Sequence, residues 1–211
     1  MTSNKAIDFR LYLITDRKLF GSSDAMLEAI EKALQGSVKA VQLREKDLGI
    51  RELLALAYRM RALTARHGAK LFINDRVDIA VAVDADGVHL GRASMPVHAA
   101  RKASEGRVMI GVSTHSVQEA QQAESDGADF VTMGPIYETA SKIPYGRPIG
   151  IHLLNEAARN CRIPVFAIGG IKIGRIEEVL EQGASGTALI SAILTAGDIQ
   201  KTTEEFVRKL S

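Results

Sequence analysis

IPVFAIGGIKIGRIEEVLEQGASGTALIS, residues 163–191, is the stretch that decides the fold. Its first six residues form a short apolar run, which is typical of a strand buried on both faces. Gly169 and Gly170 follow, and glycine lets backbone N–H groups approach a ligand closely because it has no Cβ. A helical spacing and a second apolar run then lead to Ser191, at the start of another predicted helix. Two neighbouring strand ends with free N–H groups predict a phosphate-binding cup, whereas the alternative is that the glycines only turn a strand into a helix.

The same alternation of strand and helix runs through the whole chain. Strands are predicted at residues 10–15, 39–43, 70–73, 87–90, 108–112, 130–133, 163–168 and 187–190. Strict alternation implies parallel strands with right-handed crossovers. An open doubly wound sheet usually stops at five or six strands. Eight units in 211 residues therefore predict one α/β domain, residues 1–211, folded as a (β/α)8 TIM barrel.

Composition excludes several classes of protein. Hydrophobic residues make up 46% of the chain, and 27 basic against 25 acidic residues leave a net charge of +2, which argues against a nucleic-acid partner. Cys161 is the single cysteine, so neither an internal disulfide nor a thiolate metal cluster is expected. No apolar run approaches the roughly 20 residues of a membrane span, and no secretory leader is evident. We therefore expect a cytoplasmic protein with small-molecule partners and no membrane partner; a homo-oligomer is compatible with the sequence.

Polar residues collect where the second predicted strand ends. Gln42, Arg44 and Lys46 alternate along the chain, so their side chains can point the same way. Two cations and an amide on one side favour a polyanionic ligand, with arginine giving bidentate contacts and lysine a point charge. The alternative is a solvated strand end whose charges are neutralised by Glu45 and Asp47. The sequence leaves both interpretations open.

The ends of the third and fifth strands carry further polar residues. Asp75 could hold Mg²⁺ through a carboxylate oxygen while a diphosphate supplies other ligands, or it could cap the following helix. Asn74 could bond an amide or ring nitrogen of a ligand, or it could only satisfy a carbonyl of the loop. Ser113 and His115 follow the fifth strand, whereas His89 lies within a strand and is predicted to be a hydrogen-bonded core residue.

The longest irregular stretch, residues 134–148, follows the sixth predicted strand. Thr139 and Ser141 present hydroxyls on one side, and Lys142 adds a cation. Long loops in barrels are more often functional than idle. We interpret this loop as a flap over the pocket.

Taken in order, several segments resemble the thiamine phosphate synthase (thiamine-phosphate pyrophosphorylase) family nearly from end to end. They are LYLITDR, VQLREKDL, FINDRVDIA, ADGVHLGR, IGVSTHS, GADFVTMGPIYETASK, IPVFAIGGI and GTALISAI. The resemblance implies a TIM barrel that joins a hydroxymethylpyrimidine diphosphate to a thiazole phosphate, releasing diphosphate with the help of Mg²⁺.

The resemblance also implies roles for individual residues, with Arg44, Lys46 and Lys142 stabilising the departing diphosphate as the catalytic residues. Asp75 would bind Mg²⁺. The pyrimidine diphosphate would contact Gln42, Leu43, Arg44, Glu45, Lys46, Asn74, Ser113 and Lys142. The thiazole would contact Thr139, Ala140 and Ser141, and its phosphate would contact Gly169, Gly170, Ile190 and Ser191.

One departure from the family pattern keeps two alternatives open. The family's second Mg²⁺ carboxylate is replaced by Ser94, which offers a neutral oxygen, and Arg92 could add a cation nearby. Thiazole tautomerases share the barrel and often lack the metal site, yet the proton-shuttling histidine of those enzymes is replaced here by Pro135, leaving His115 as a substitute. The third possibility is a barrel that binds a thiazole or thiamine phosphate without turnover.

Overall fold

A computed structural model of the chain describes residues 6–139 and 148–211. Across those residues eight parallel strands pair in chain order, and the eighth closes onto the first. The strands are β1 (Leu11–Ile14), β2 (Ala40–Leu43), β3 (Lys70–Asn74), β4 (Gly87–Leu90), β5 (Met109–Thr114), β6 (Phe130–Met133), β7 (Val165–Ile168) and β8 (Gly186–Leu189). The predicted TIM barrel is confirmed, and the open sheet is excluded.

Helices cover the outside of this barrel. Within the two described ranges they are α1 (Ser23–Gln35), α2 (Ile50–Arg66), α3 (Val77–Ala82), α4 (Val97–Ala103), α5 (Val117–Ser125), α6 (Ile151–Asn160), α7 (Ile176–Glu181), α8 (Ser191–Leu194) and α9 (Ile199–Leu210). The side chains of Ser22, Ser116 and Asp198 accept backbone N–H groups at the starts of α1, α5 and α9. In the described part of the chain, no helix is long and apolar enough to span a bilayer.

The barrel interior is filled by aromatic side chains. The ring of Phe9 lies 5.6 Å from that of Tyr12, 5.7 Å from Phe72 and 5.8 Å from Phe130. At Gly111 a Cβ would lie 2.4 Å from the Phe130 ring, so only glycine leaves room for the ring there. Because side chains fill the interior, a ligand is confined to the open mouth at the carboxyl ends of the strands.

The strand bounds differ slightly from those predicted, for local reasons. The strand predicted from residue 163 begins at Val165, because Pro164 has no N–H to donate to a sheet ladder. The strand predicted to end at residue 112 continues to Thr114, because Ser113 and Thr114 pair with Thr132 and Met133 of β6. Ser113 therefore sits on rigid sheet rather than in a loop.

Candidate active site

Gln42 lies within β2, and Arg44 and Lys46 follow the strand. Gln42 is buried, and its Nε2 donates to the Tyr12 hydroxyl at 3.1 Å. Lys46 lies at the mouth with its Nζ 3.7 Å from Asp75 Oδ2. Arg44 is half-buried, and among the described carboxylates none forms an ion pair with its guanidinium. The positive charge of Arg44 is therefore available to an anionic ligand.

Glu45 and Asp47 do not neutralise these cations. The buried Glu45 carboxylate accepts from Thr15 Oγ1 at 2.6 Å and from the Arg17 backbone N–H at 3.0 and 3.1 Å. Burial raises the pKa of Glu45, and those hydrogen bonds partly oppose the shift. Asp47 instead pairs with the Arg17 guanidinium at 2.8 Å. The Leu43 side chain packs in the core between barrel and helices, so a ligand contact from Leu43 would have to come from its backbone.

Asp75 stands at the centre of the polar cluster after β3. Its backbone has a positive φ of 61°, a conformation that aspartate tolerates better than most residues. The side chain of Asp75 accepts from Asn74 Nδ2 at 2.6 Å, from the Gly91 N–H at 3.3 Å and from the Ser94 hydroxyl. Arg76 occupies the position before α3, so the alternative that Asp75 caps this helix is wrong. We call Arg44, Lys46, Asn74, Asp75 and Ser94 the charged rim.

The charged rim offers oxygen ligands of the kind that Mg²⁺ prefers. Asp75 supplies a carboxylate, and Ser94, at the position of the expected second carboxylate, supplies a hydroxyl in direct contact with Asp75. Mg²⁺ in phosphate-transfer sites is commonly held by one or two carboxylates plus substrate phosphates and water. Among the described residues, no group of three His, Cys, Asp or Glu side chains could hold a metal ion alone. The residues therefore fit a cation that is completed by a phosphate ligand.

Below the mouth, His89 lies inside the barrel and contacts Ser113. Its Nε2 is 3.0 Å from Ser113 Oγ and 3.5 Å from Thr132 Oγ1, and its Nδ1 is 3.5 Å from the Tyr12 hydroxyl. Burial lowers the pKa of His89 to about 3, against the opposing charge of Asp75, so the imidazole is neutral at physiological pH. The prediction that His89 is a hydrogen-bonded core residue is confirmed, although its link to Ser113 was not foreseen.

Gly169, Gly170, Ile190 and Ser191, which we call the backbone rim, follow β7 and β8. Both glycines have positive φ values, 97° and 66°, and the Tyr137 N–H donates to the Gly169 carbonyl at 3.1 Å. Among the residues the structure describes, none accepts the N–H of Gly170 or Ser191. These two N–H groups are therefore free to donate to a ligand, and the phosphate-binding cup stays a prediction.

The turn at Gly170 is held in place by Arg175. The Arg175 guanidinium donates to the Gly170 carbonyl at 3.2 Å and stacks on the Tyr137 ring, with Cζ 3.9 Å from the ring centroid. The Tyr137 hydroxyl in turn donates to Glu178 at 2.7 Å. Burial and this hydrogen bond raise the pKa of Tyr137 to about 12. Arg175 and Tyr137 thus fasten the start of the long loop to the backbone rim.

The predicted flap is described only at its two ends. The N–H of Ile136 donates to the Ile168 carbonyl at 2.9 Å, and that of Ile149 donates to the Pro135 carbonyl at 2.8 Å. Thr139 is half-buried. Ala140, Ser141 and Lys142 lie outside the described residues, so their roles and the closure of the flap stay predictions. The His115 ring contacts the Gly134 carbonyl through Nδ1 at 2.5 Å, which anchors the loop's first residue.

The sequence did not identify the residues that hold the site residues in place through hydrogen bonds. Tyr12, Thr15 and Arg17 come from β1 and the turn after it, and they contact Gln42, His89 and Glu45. Tyr12 was the most visible signal, because a polar aromatic residue in a buried strand needs a partner for its hydroxyl. Arg175 gave no comparable signal.

Comparison with known proteins agrees with this geometry. The family model for thiamine monophosphate synthase matches residues 11–193. The chain belongs to the thiamine monophosphate synthase family. It is 54% identical to a protein of Geobacter sulfurreducens that is provisionally named a thiamine-phosphate synthase, over 91% of this chain and 90% of the relative. It is 42% identical to the thiamine-phosphate synthase of Halalkalibacterium halodurans, over 94% of each chain.

A solved structure of a family member has the same fold. The thiamine phosphate pyrophosphorylase from Pyrococcus furiosus superposes with a TM-score of 0.87 at 39% identity, covering 96% of this chain and 95% of that one. The resemblance that the motifs indicated is thereby confirmed for nearly the whole chain. The individual site residues stay predictions, because family membership does not test them one by one.

Proposed function

We propose that the chain is a thiamine-phosphate synthase, a transferase that couples 4-amino-5-hydroxymethyl-2-methylpyrimidine diphosphate with a thiazole phosphate and releases diphosphate. The observation that carries the proposal is the pairing of a charged rim and a backbone rim around one barrel mouth. The reaction needs two anion-binding sites of this kind. One binds the diphosphate that leaves, and the other binds the phosphate that stays on the thiazole. We further propose that the protein acts as a single cytoplasmic domain.

The chemistry begins with heterolysis of the bond between the pyrimidine methylene carbon and the diphosphate oxygen. The electron pair leaves with the diphosphate, and a carbocation remains on the pyrimidine. Arg44 and Lys46 stabilise the departing charge, since preorganised cations act most strongly where charge develops. Ser113 and, by resemblance, Lys142 contact the same diphosphate. Gln42 and Asn74 orient the pyrimidine.

The second substrate completes the reaction by forming a carbon–nitrogen bond. The thiazole nitrogen already carries a lone pair, so no general base is required. The backbone rim holds the thiazole phosphate through N–H donors, which place the nitrogen within reach of the cation. Thr139, Ala140 and Ser141 are proposed to contact the thiazole ring.

Mg²⁺ is the proposed cofactor, with Asp75 and Ser94 as its protein ligands. When bound, it neutralises negative charge on the diphosphate as a Lewis acid. A serine in place of a second carboxylate gives a less charged site, so we expect a higher Mg²⁺ requirement than a site with two carboxylates would have. Lys46, with its Nζ 3.7 Å from Asp75 Oδ2, balances part of the carboxylate charge.

The tautomerase alternative is less well supported. Proline cannot transfer protons, and Pro135 follows the loop glycine where those enzymes carry histidine. His115 is exposed, but its Nδ1 contacts the Gly134 carbonyl, so only Nε2 could exchange a proton with a ligand. We therefore place the tautomerase second, with metal-independent isomerisation sensitive to His115→Ala as its signature.

The test is diphosphate release by purified protein supplied with both substrates and Mg²⁺. We expect multiple turnovers and formation of thiamine phosphate in equal amount. Asp75→Asn should reduce the rate by about 100-fold, since it removes the carboxylate that is proposed to hold Mg²⁺ against the leaving diphosphate. Asp78→Asn is the matched control, because Asp78 lies at the surface and pairs with Arg76.

No release at saturating substrate would overturn the synthase. Isomerisation of a thiazole carboxylate phosphate without metal would then favour the tautomerase. Thermal stabilisation by thiazole phosphate or thiamine phosphate, with turnover in neither assay, would favour a binding protein.

A further inference from the structure

Four side chains from four strands form one hydrogen-bonded chain through the barrel interior. Gln42 of β2 contacts Tyr12 of β1, Tyr12 contacts His89 of β4, and His89 contacts Ser113 of β5. The successive distances are 3.1, 3.5 and 3.0 Å. The chain starts among the aromatic rings and ends at Ser113, at the mouth.

The donors in this chain can be assigned from Gln42 onward. The Gln42 amide nitrogen can only donate, so the Tyr12 oxygen accepts from it. The buried phenol has one hydrogen, and of the described residues the group placed to accept it is His89 Nδ1, 3.5 Å away. Because a buried hydroxyl hydrogen is rarely left without an acceptor, we assign Nδ1 as the acceptor. A neutral imidazole with an unprotonated Nδ1 carries its proton on Nε2. Ser113 Oγ lies 3.0 Å from Nε2 and Thr132 Oγ1 lies 3.5 Å from it, so the proton is assigned to the shorter contact, with Ser113.

The surroundings of His89 favour this neutral tautomer. Tyr12 is fully buried, His89 is 3% exposed, and the Phe130 ring centroid lies 5.8 Å from that of the imidazole. Of the described residues, no carboxylate accepts a hydrogen bond from the imidazole ring. A charged ring would therefore be both desolvated and without a directly bonded counter-ion.

We propose that His89 is a positioning residue that fixes the Ser113 hydroxyl as a hydrogen-bond donor toward the mouth. The His89 Nε2–H occupies a lone pair of Ser113 Oγ, and the hydroxyl hydrogen is left for a group above it. A diphosphate oxygen only accepts, so it matches this donor, whereas an ammonium or amide N–H does not. The inference rests on the proposed function, since it concerns the diphosphate that the synthase would release.

Two substitutions of His89 distinguish the roles of its two ring nitrogens. His89→Gln places an amide near the Nε2 position, where its N–H can still donate to Ser113. His89→Asn places an amide near the Nδ1 position, where it can still bond Tyr12 but does not reach Ser113. We expect His89→Asn to lower kcat for diphosphate release about 10- to 100-fold, comparable with Ser113→Ala, while His89→Gln keeps most of the activity.

A double-mutant cycle distinguishes positioning from general structural support. If His89 acts through Ser113, His89→Asn should cause no further loss of kcat when it is added to Ser113→Ala. Equal losses in His89→Gln and His89→Asn, or additive losses in the double variant, would overturn the proposal. Circular dichroism and thermal unfolding of each variant identify any that fail to fold.

The tautomer itself can be measured without turnover. Nitrogen-15 NMR of histidine-labelled wild-type protein reports which ring nitrogen of His89 carries the proton, with the His89→Gln spectrum assigning the signal. We expect a proton on Nε2 and an unprotonated Nδ1. A proton on Nδ1 in an enzyme that releases diphosphate would overturn this inference alone, whereas absence of release in the wild type would overturn the proposed function.

Discussion

The charged rim and the backbone rim are both proposed to bind phosphate groups, but they do so with different chemical groups. The charged rim contributes the side chains of Arg44 and Lys46, with Lys46 3.7 Å from Asp75. The four residues of the backbone rim carry no charged side chain, and the glycines there have positive φ values. Charged side chains suit a group that gains negative charge as it leaves, while fixed N–H donors suit a phosphate that is only held.

The difference also concerns how each rim is held. On the charged rim the Arg44 backbone N–H donates to Thr15 Oγ1 at 2.9 Å, and Thr15 donates to Glu45 at 2.6 Å. At the backbone rim, Arg175 and Tyr137 fasten the turn at Gly170. Each rim is therefore supported by residues that do not face the ligand. A substitution on one rim should therefore change the interaction with one anion and leave the binding of the other anion unchanged.

The largest effect is expected from Arg44→Ala. The substitution removes a cation that would stabilise the negative charge developing on the departing diphosphate. We therefore expect kcat to fall by about 100- to 1,000-fold. The KM for thiazole phosphate should change little. Steady-state kinetics with each substrate varied in turn measures both, and Arg66→Ala on α2, where the arginine pairs with Glu31 at the surface, is the control. A large rise in the KM for thiazole phosphate would contradict the division of roles.

Gly170→Ala should damage the other rim. A Cβ at Gly170 would lie 2.5 Å from the Glu138 carbonyl oxygen and 2.8 Å from Tyr137 Cβ, and φ is 66°. We expect the KM for thiazole phosphate to rise about 10- to 100-fold, a loss of roughly 1.4–2.7 kcal/mol in binding. Gly174→Ala is the matched control in the same loop, since nothing lies within 4 Å of its Cβ. Equal behaviour of the two variants would show that the turn does not hold phosphate.

A smaller effect is expected from Ser94→Asp, which restores a second carboxylate beside Asp75. Without metal, two adjacent like charges should destabilise the fold by about 1 kcal/mol. With metal, the concentration of Mg²⁺ needed for half-maximal activity should fall about tenfold, because Mg²⁺ prefers carboxylate ligands. Thermal unfolding and Mg²⁺ titration measure the two quantities, and Ser94→Asn supplies similar shape without charge. An unchanged Mg²⁺ requirement would place the metal elsewhere.

The smallest effect concerns the support of the charged rim through Glu45. Burial raises the pKa of Glu45 above 4.5, so the folded state holds its proton to higher pH than the unfolded state does. The free energy of unfolding should therefore fall as pH rises from 4.5 through the folded pKa, where this contribution to stability is lost. Urea unfolding of wild type and Glu45→Gln across this range checks it. A Glu45→Gln profile with the same slope would assign the pH dependence to other groups.

The sequence predicted those parts of the site that depend on local patterns. Asn74 and Asp75 end a strand, and Gly169 and Gly170 end another, so the rule that barrel chemistry lies at strand carboxyl ends places them at the mouth. It did not predict that Glu45 turns back to Arg17, or that Ser94 bonds Asp75. Those contacts join residues 28 and 19 positions apart. They depend on how neighbouring strands are staggered around the closed barrel, which local spacing does not encode.

The most direct test of the two-rim account is calorimetric binding of two anions to two variants. Inorganic diphosphate with Mg²⁺ and thiazole phosphate are each titrated into wild type, Arg44→Ala and Gly170→Ala. We predict that Arg44→Ala weakens diphosphate binding and keeps thiazole phosphate binding, and that Gly170→Ala does the reverse. Variants that weaken both anions equally would contradict the account, because the two rims would then act as a single site.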